Sequence, residues 1–308
     1  MRVSGCPDLP HTLTLSHSPP MLPLEEYVEQ GHFFRTLGER LPENVTIQEL
    51  LEQVRHELLS TTRLPMAIDF MLAEIRHAGT MSTAMARLPH YFTPFQTYVI
   101  REAEAERGRF DMRIAVEILR HEAEYRSKGG TAQGIFVYQF ECVSRNRLKY
   151  DPGLGAMADD SIFDANWKEW ILTVRRQIGL VDFADMIFVR SQYYQTRRTP
   201  RGGPEPPPEA PILFGEKEGM IAWANRRKDP LYLFAALQRH LGYPIVPRPK
   251  KPDETQNLLP LLTQRLERLE TRIKLLEEEG RSGLDITKFY GEGKILPNVP
   301  PPDDRARP

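Results

Sequence analysis

Hydrophobic residues recur every three or four positions between residues 24 and 129, a spacing typical of amphipathic helices. Signals for helix starts and ends divide this stretch into six segments. Thr46 and Thr93 stand at N-cap positions, and Gly79 and Gly129 stand where a helix would end. Because each apolar face needs a partner, six short helices joined by short links predict an N-terminal six-helix bundle.

From residue 130 the pattern changes to short runs of β-branched and aromatic residues, which are typical of strands. Helical patterns alternate with these runs and begin near Asp164 and Asp229. The order of elements predicts a small α+β unit over residues 130–250, with a proline-rich loop at 196–211. We therefore expect an α+β fold class for the chain. The strand-like runs are GIFVYQFECV (134–143), ADMIFVRS (184–191) and ILFGEKEGMIAWAN (212–225).

A third pattern occupies residues 257–280, where leucine and isoleucine alternate three and four apart in a heptad repeat. The apolar seam consists of Leu259, Leu262, Leu266, Leu269, Ile273 and Leu276. The charges beside it are Arg265 and Arg272 at position g and Glu270 and Glu277 at position e. A parallel pair would set each g arginine against an e glutamate, so we expect a homodimer through a parallel coiled coil. The alternative is an amphipathic helix packed on the chain's own α+β unit.

Both ends of the chain are rich in proline, and the C-terminal end is also polar. We expect a disordered leader over residues 1–23 and a flexible tail over residues 281–308. The leader has no apolar core of the signal-peptide type, and no stretch approaches the roughly 18 apolar residues typical of a spanning helix. These features predict a cytoplasmic protein without a membrane span. Cys6 and Cys142 form neither a CxxC pair nor a metal-binding spacing.

The helical stretch also carries a series of short motifs. In chain order they are FFRTLGERLPENVTIQELLEQ from Phe33, GTMSTAMA (79–86), Phe92 with Pro94, and EAERGRFD (104–111). In their order and spacing, residues 31–128 resemble the F domain of the inner-membrane platform proteins of type II secretion and type IV pilus systems. Asn44 stands where that family usually has a glycine, and asparagine also tolerates a left-handed backbone.

The resemblance implies a helical docking module, which in that family contacts assembly ATPases and partner platform subunits. The family's apolar membrane helices and its second copy of the domain do not occur in this sequence. The resemblance therefore implies a single soluble F-like domain over residues 24–129. Its expected partners are proteins, among them a component of a secretion- or pilus-type assembly.

Candidate chemistry is sparse. PGLGAMA (152–158) contains the spacing GxGxxA, but no strand pattern precedes it, so we interpret it as a loop without a bound dinucleotide. Asp159, Asp160 and Asp164 could hold a hard cation, although helix capping explains Asp164 more simply. The sequence contains no P-loop, GxSxG or HExxH motif. We expect no enzymatic activity, no cofactor and no metal site.

Basic and aromatic residues are interleaved over residues 190–251, in a chain whose net charge is −1. Arginine neutralises phosphates and aromatic faces stack on bases, so this stretch supports nucleic-acid binding as an alternative function. A solvated edge, or an anchor for an acidic protein partner, explains the same pattern. The residues that would contact nucleic acid are Arg197, Arg198, Arg201, Arg226, Arg227 and Lys228.

Together these patterns predict a non-enzymatic, cytosolic docking or scaffold protein. Its F-like bundle would bind a protein partner, and its coiled coil would pair two chains. Nucleic-acid binding through residues 190–251 is the alternative.

Overall fold

The computed structural model of the chain describes residues 22–43, 45–105, 110–198, 210–248, 265–274 and residue 277. Within these residues the regular structure is helical, and β-pairing is limited to two isolated bridges, Ile178–Val181 and Ser191–Phe214. The expected α+β fold class is therefore wrong, because the described part of the chain is all-α.

The helices before residue 130 begin and end close to the residues that the sequence predicts. They are α1 (Leu24–Arg40, followed by a 3-10 turn at Leu41–Glu43), α2 (Ile47–Arg55), α3 (Leu64–Ala78), α4 (Met81–Ala86), α5 (Pro94–Glu104) and α6 (Met112–Ser127). Thr46 Oγ1 accepts a hydrogen bond from the Glu49 amide, and Thr93 forms a reciprocal capping box with Gln96. α3 ends at Gly79, whose φ of 74° lies in the left-handed region that glycine adopts without strain.

The runs expected to be strands lie mainly in helices. GIFVYQFECV lies within α7, ADMIFVRS overlaps α10, and most of residues 212–225 belong to α12. The helices from residue 130 to residue 248 are α7 (Ala132–Arg145), α8 (Tyr150–Ala158), α9 (Ala165–Gln177), α10 (Phe183–Val189), α11 (Gln192–Arg198), α12 (Glu216–Ala224) and α13 (Pro230–Leu241).

Complete burial explains why α7, the longest of these helices, looks like a strand in the sequence. Every residue from Gly134 to Val143 in α7 is buried, so no polar face reveals the helical period. Periodicity cannot separate such a segment from a buried strand. The helix start was nevertheless encoded, because Thr131 Oγ1 accepts a hydrogen bond from the Gly134 amide at 3.1 Å. Asp182 caps α10 in the same way, through the Ala184 amide at 3.0 Å.

The chain divides into two compact units, Met1–Pro249 and Lys250–Pro308. Within the first unit, α1 packs along α6, α5 packs on both α6 and α8, and α7 packs on α13. Residue 129, the predicted boundary between two modules, thus lies inside one compact unit. Rings from α7, α9, α10, α13 and the segment before α12 form one aromatic cluster: Phe136, Phe140, Trp167, Trp170, Phe183, Phe214 and Phe234.

One charged cluster is buried inside this first unit. The Arg126 side chain is 2% exposed and forms ion pairs with Glu122, one turn earlier on α6, and with Asp160. Gln139 Nε2 donates to Glu122 Oε1 at 2.7 Å, and the guanidinium carbon of Arg126 lies 5.8 Å from the Tyr27 ring centroid. Burial raises the pKa of Glu122 above its usual 4.5, although Arg126 opposes this effect. The cluster ties α6 to α1, to α7 and to the turn after α8.

In the second unit, residues 265–274 and residue 277 are described, and all of them are helical. The predicted seam residues Leu259, Leu262 and Leu276 lie outside the described residues, as do the predicted leader up to residue 21 and the tail over residues 281–308. Across all described residues, no helix combines the length and the apolar character that crossing a bilayer requires.

Candidate functional site

Some of the basic and aromatic residues of the stretch 190–251 meet where α10, α11 and α12 pack together. The short link between α10 and α11 is fixed by the Ser191–Phe214 bridge, in which the Gln192 amide donates to the Phe214 carbonyl at 2.9 Å. α12 lies close to this link because Gly219 has no side chain. A Cβ at that position would lie 2.2 Å from Ser191 Oγ and 2.7 Å from the Tyr193 Cβ.

Trp223, on α12, is the centre of the resulting surface and is 39% exposed. The guanidinium carbons of Arg197 and Arg226 lie 4.4 Å and 4.3 Å from the centroid of the Trp223 ring. Both distances are well inside the range of a cation–π contact. An arginine of α11 and an arginine of the turn after α12 are therefore held on one indole.

The neighbouring arginine and tyrosine side chains of α11 repeat this arrangement. Arg197 also lies 5.6 Å from the Tyr193 ring centroid, and Arg198 lies 5.7 Å from the Tyr194 ring centroid. The buried ring of Phe188 on α10 contacts the rings of both tyrosines and of Trp223. The ring centroids of Phe188 and Trp223 are 4.7 Å apart. We call the following set the arginine–aromatic surface: Tyr193, Tyr194, Arg197, Arg198, Trp223 and Arg226.

Two aspartates of the α10 start hold the far side of the surface in place. Asp185 forms an ion pair with the Arg226 guanidinium, and both side chains are about one-third exposed or less. Asp182 accepts a hydrogen bond from the Arg227 amide at 2.7 Å through the carboxylate oxygen that does not cap α10. Arg227 has a φ of 58°, so this contact fixes an unusual turn after α12. Interpreting ADMIFVRS as a strand concealed these aspartates, although Asp182 stands at a position typical of an N-cap.

The predicted nucleic-acid contacts are thus only partly brought together. Arg197, Arg198 and Arg226 belong to the arginine–aromatic surface, and Arg227 and Lys228 follow Arg226 in the turn after α12. Arg201 lies outside the described residues, as do Lys250 and Lys251. Within the described residues, Arg197, Arg227 and Lys228 have no carboxylate partner. The surface therefore offers positive charge that the fold does not neutralise.

The described part of the predicted coiled coil exposes its apolar seam. Leu266, Leu269 and Ile273 are 60%, 53% and 54% exposed. The flanking charges Arg265, Glu270 and Arg272 are exposed on the same helix, and Glu277 is also helical.

A cleft of about 360 Å³ between α5 and α8 is a further feature that the sequence did not reveal. Its polar wall contains Arg101, Asp151, Asp159 and Arg175. Arg175 is neutralised by Asp151 through two hydrogen bonds, of 2.6 Å and 2.9 Å. The cleft therefore presents less free positive charge than the arginine–aromatic surface.

The other candidate chemistry has structural explanations. Residues 152–158 belong to α8, so the prediction of a loop there is wrong. Asp160 is buried against Arg126, and Asp164 caps α9 through the Trp167 amide at 2.9 Å, as the sequence predicts. Among the described residues, no group of three or more His, Cys, Asp or Glu side chains is arranged to hold a metal ion.

No protein-family model, no curated protein and no solved structure matches this chain.

Proposed function

We propose that this chain is a non-enzymatic docking protein of the cytoplasm, which pairs with a second copy of itself and presents its helical unit to a protein partner. The observation that carries this proposal is the exposed seam of Leu266, Leu269 and Ile273. Burying one such side chain contributes roughly 1.5–3 kcal/mol, so a repeating row of them favours association.

The charges beside the seam support a parallel pair. In a parallel coiled coil, Arg265 of one chain would face Glu270 of the other, and Arg272 would face Glu277. An antiparallel pair would instead bring the arginines at position g together. A second copy in parallel orientation is therefore the occupant that best fits this helix.

Exposed apolar residues on the F-like bundle support its docking role. Met66 and Phe70 stand one turn apart on α3 and are 74% and 38% exposed, whereas Ile68, Met71 and Ile75 of the same helix are buried. Leu24 and Val28 repeat this arrangement on α1. Such pairs are typical anchors for a helical partner. The resemblance to secretion-platform F domains suggests a component of such an assembly as that partner.

The self-association can be tested by sedimentation of the full-length chain. The double variant Leu266→Glu and Leu269→Glu places charge in the seam, so we expect it to sediment as a monomer while the natural chain sediments as a dimer. The matched control is Arg268→Gln with Thr271→Glu, which lowers the net charge by the same two units on the opposite face of the helix and should remain dimeric. A natural chain that stays monomeric at the highest attainable concentration would rule out the pairing.

The orientation can be tested with a cysteine at the seam. In a chain whose Cys6 is replaced by serine, Leu266→Cys should form a disulfide between the two copies, because equivalent residues face each other only in a parallel pair. Cys142 is buried and should not react. A dimer that fails to crosslink under oxidation would indicate an antiparallel arrangement.

A further inference from the structure

We infer that the arginine–aromatic surface binds an acidic segment of a partner protein, in which Asp or Glu residues stand beside an apolar side chain. This inference rests on the proposed docking function and names the chemistry of the partner.

Stacking on the indole prepares Arg197 for a carboxylate, whereas Arg226 already pairs with Asp185. A guanidinium that lies over a ring keeps its N–H groups directed outward within its own plane, where they can donate two parallel hydrogen bonds to one carboxylate. The ring also restricts a long side chain that would otherwise lose entropy on binding. Arg197 and Arg226 are both held this way by Trp223, and no described carboxylate occupies Arg197.

Exposed apolar side chains lie on α10 and α12, two of the three helices that pack together here. Val189 of α10 is 50% exposed, and Met220 of α12, one turn before Trp223, is 43% exposed. α10 and α12 pack directly against each other. A purely ionic ligand would leave these side chains in water, whereas a segment with an apolar residue next to its carboxylates would cover them.

A nucleic acid fits this surface less well. Bases stack on open aromatic faces, but here Tyr193, Tyr194 and Trp223 already have guanidinium groups over them. The charge excess is also small, because residues 182–198 and 210–229 carry seven Lys and Arg against five Asp and Glu. Strong binding to a phosphate backbone depends on neutralising many phosphates at once. The observations therefore favour carboxylates.

The tail of the chain itself is a poor candidate for the ligand. Residues 281–308 contain four Asp and Glu against five Lys and Arg, so they carry no net negative charge. The tail therefore does not supply the ligand, and we assign the acidic segment to a second protein.

Fluorescence anisotropy with the full-length chain can test this inference. The probe is a labelled peptide of repeating Glu–Glu–Phe units. It is compared with the same peptide in which Gln replaces each Glu, and with a labelled oligothymidylate. We expect the acidic peptide to bind, the Gln peptide to bind at least about tenfold more weakly, and Arg197→Glu to weaken the acidic peptide by about tenfold or more. Trp223→Ala should also weaken it, because both arginines lose their support.

The matched control is Arg176→Glu on α9. Arg176 is exposed and bonds only to the Leu172 carbonyl of its own helix among the described residues, so the substitution makes the same charge change elsewhere. It should leave peptide affinity within about twofold of the natural chain. Equal losses in Arg176→Glu and Arg197→Glu would show that net charge, not this surface, attracts the peptide.

The remaining outcomes separate this inference from the proposed function. Tighter binding of oligothymidylate, lost in Arg197→Glu, would identify a nucleic-acid surface and overturn the inference. A dimer that binds none of the probes would also overturn it while leaving the self-association intact. If the monomeric seam variant still binds the acidic peptide, the surface is confirmed independently of the pairing.

Discussion

Two arginine side chains of this protein lie in opposite environments. Arg126 is almost completely buried, and the carboxylates of Glu122 and Asp160 neutralise it. Arg197 is exposed and is held by the rings of Trp223 and Tyr193 without a described carboxylate. A buried charge without partners is very unfavourable, so Arg126 needs these two carboxylates. Because they occupy its guanidinium in the interior, Arg126 cannot bind another molecule. Aromatic support fixes Arg197 and leaves its hydrogen-bond donors free for a ligand.

The two environments also differ in charge balance. The buried cluster contains one arginine and two carboxylates, and Glu122 Oε2 has no hydrogen-bond partner there. Burial and the neighbouring Asp160 both raise the pKa of Glu122. At the surface the imbalance is reversed, because positive charge exceeds negative charge. We therefore expect the buried cluster to govern stability and the arginine–aromatic surface to govern binding.

The largest effect should follow from removing the buried cation. Arg126→Met leaves Glu122 and Asp160 without their partner, so the free energy of unfolding should fall by about 3–5 kcal/mol. Urea denaturation followed by circular dichroism would measure this. Arg113→Met, at the exposed start of the same helix, is the matched control and should change stability by no more than about 0.5 kcal/mol. Equal losses in both variants would contradict the assigned role of the buried cluster.

A smaller, pH-dependent effect should come from Glu122. Because its folded-state pKa is raised, the folded state binds its proton more tightly, and the stability that this provides is lost as the pH rises above about 4.5. In the variant Glu122→Gln the side-chain amide does not titrate in this pH range. The natural chain should therefore lose stability relative to this variant with rising pH, by at most about 1.4 kcal/mol per pH unit.

Urea denaturation of both chains at several pH values between roughly 5 and 8 would reveal this difference. Glu117→Gln, on the exposed side of α6, serves as the control and should run parallel to the natural chain. A constant difference between the natural chain and Glu122→Gln across this range would show that Glu122 is ionised throughout.

The smallest effect on stability should come from Arg197. Exposed cation–π contacts contribute roughly 0.5–1 kcal/mol, so Arg197→Ala should lower the free energy of unfolding by no more than that. Its effect on binding an acidic peptide should be much larger, as Arg197→Glu tests directly. A loss of stability comparable to that of Arg126→Met would mean that Arg197 is structural, and the contrast between the two arginines would disappear.

Local signals in the sequence predicted the helices before residue 130 well. Capping residues such as Thr46 and Thr93 act on amides two or three residues away, so the chain encodes these starts without help from distant residues. The same signals existed after residue 130, at Thr131 and Asp182, but the aromatic and β-branched composition outweighed them. In α7, full burial also removes the polar face on which the recognition of a helix depends.

The candidate site was predicted only in part, for a similar reason. Interleaved arginines and aromatic residues drew attention to Arg197, Arg226 and Trp223, yet the sequence could not show that guanidinium groups would cover the rings. The contributions of Asp185 and Gly219 were also hidden, because each acts on a residue of another helix.

By itself, the sequence determined the capped helices, the heptad seam and the residue types available for binding, because each depends on neighbours within one or two helical turns. The tertiary structure alone decided that the segments after residue 130 are helices and that Arg126 is enclosed while Arg197 is displayed. These outcomes depend on which faces become buried against distant parts of the chain, and burial is a property of the packed molecule.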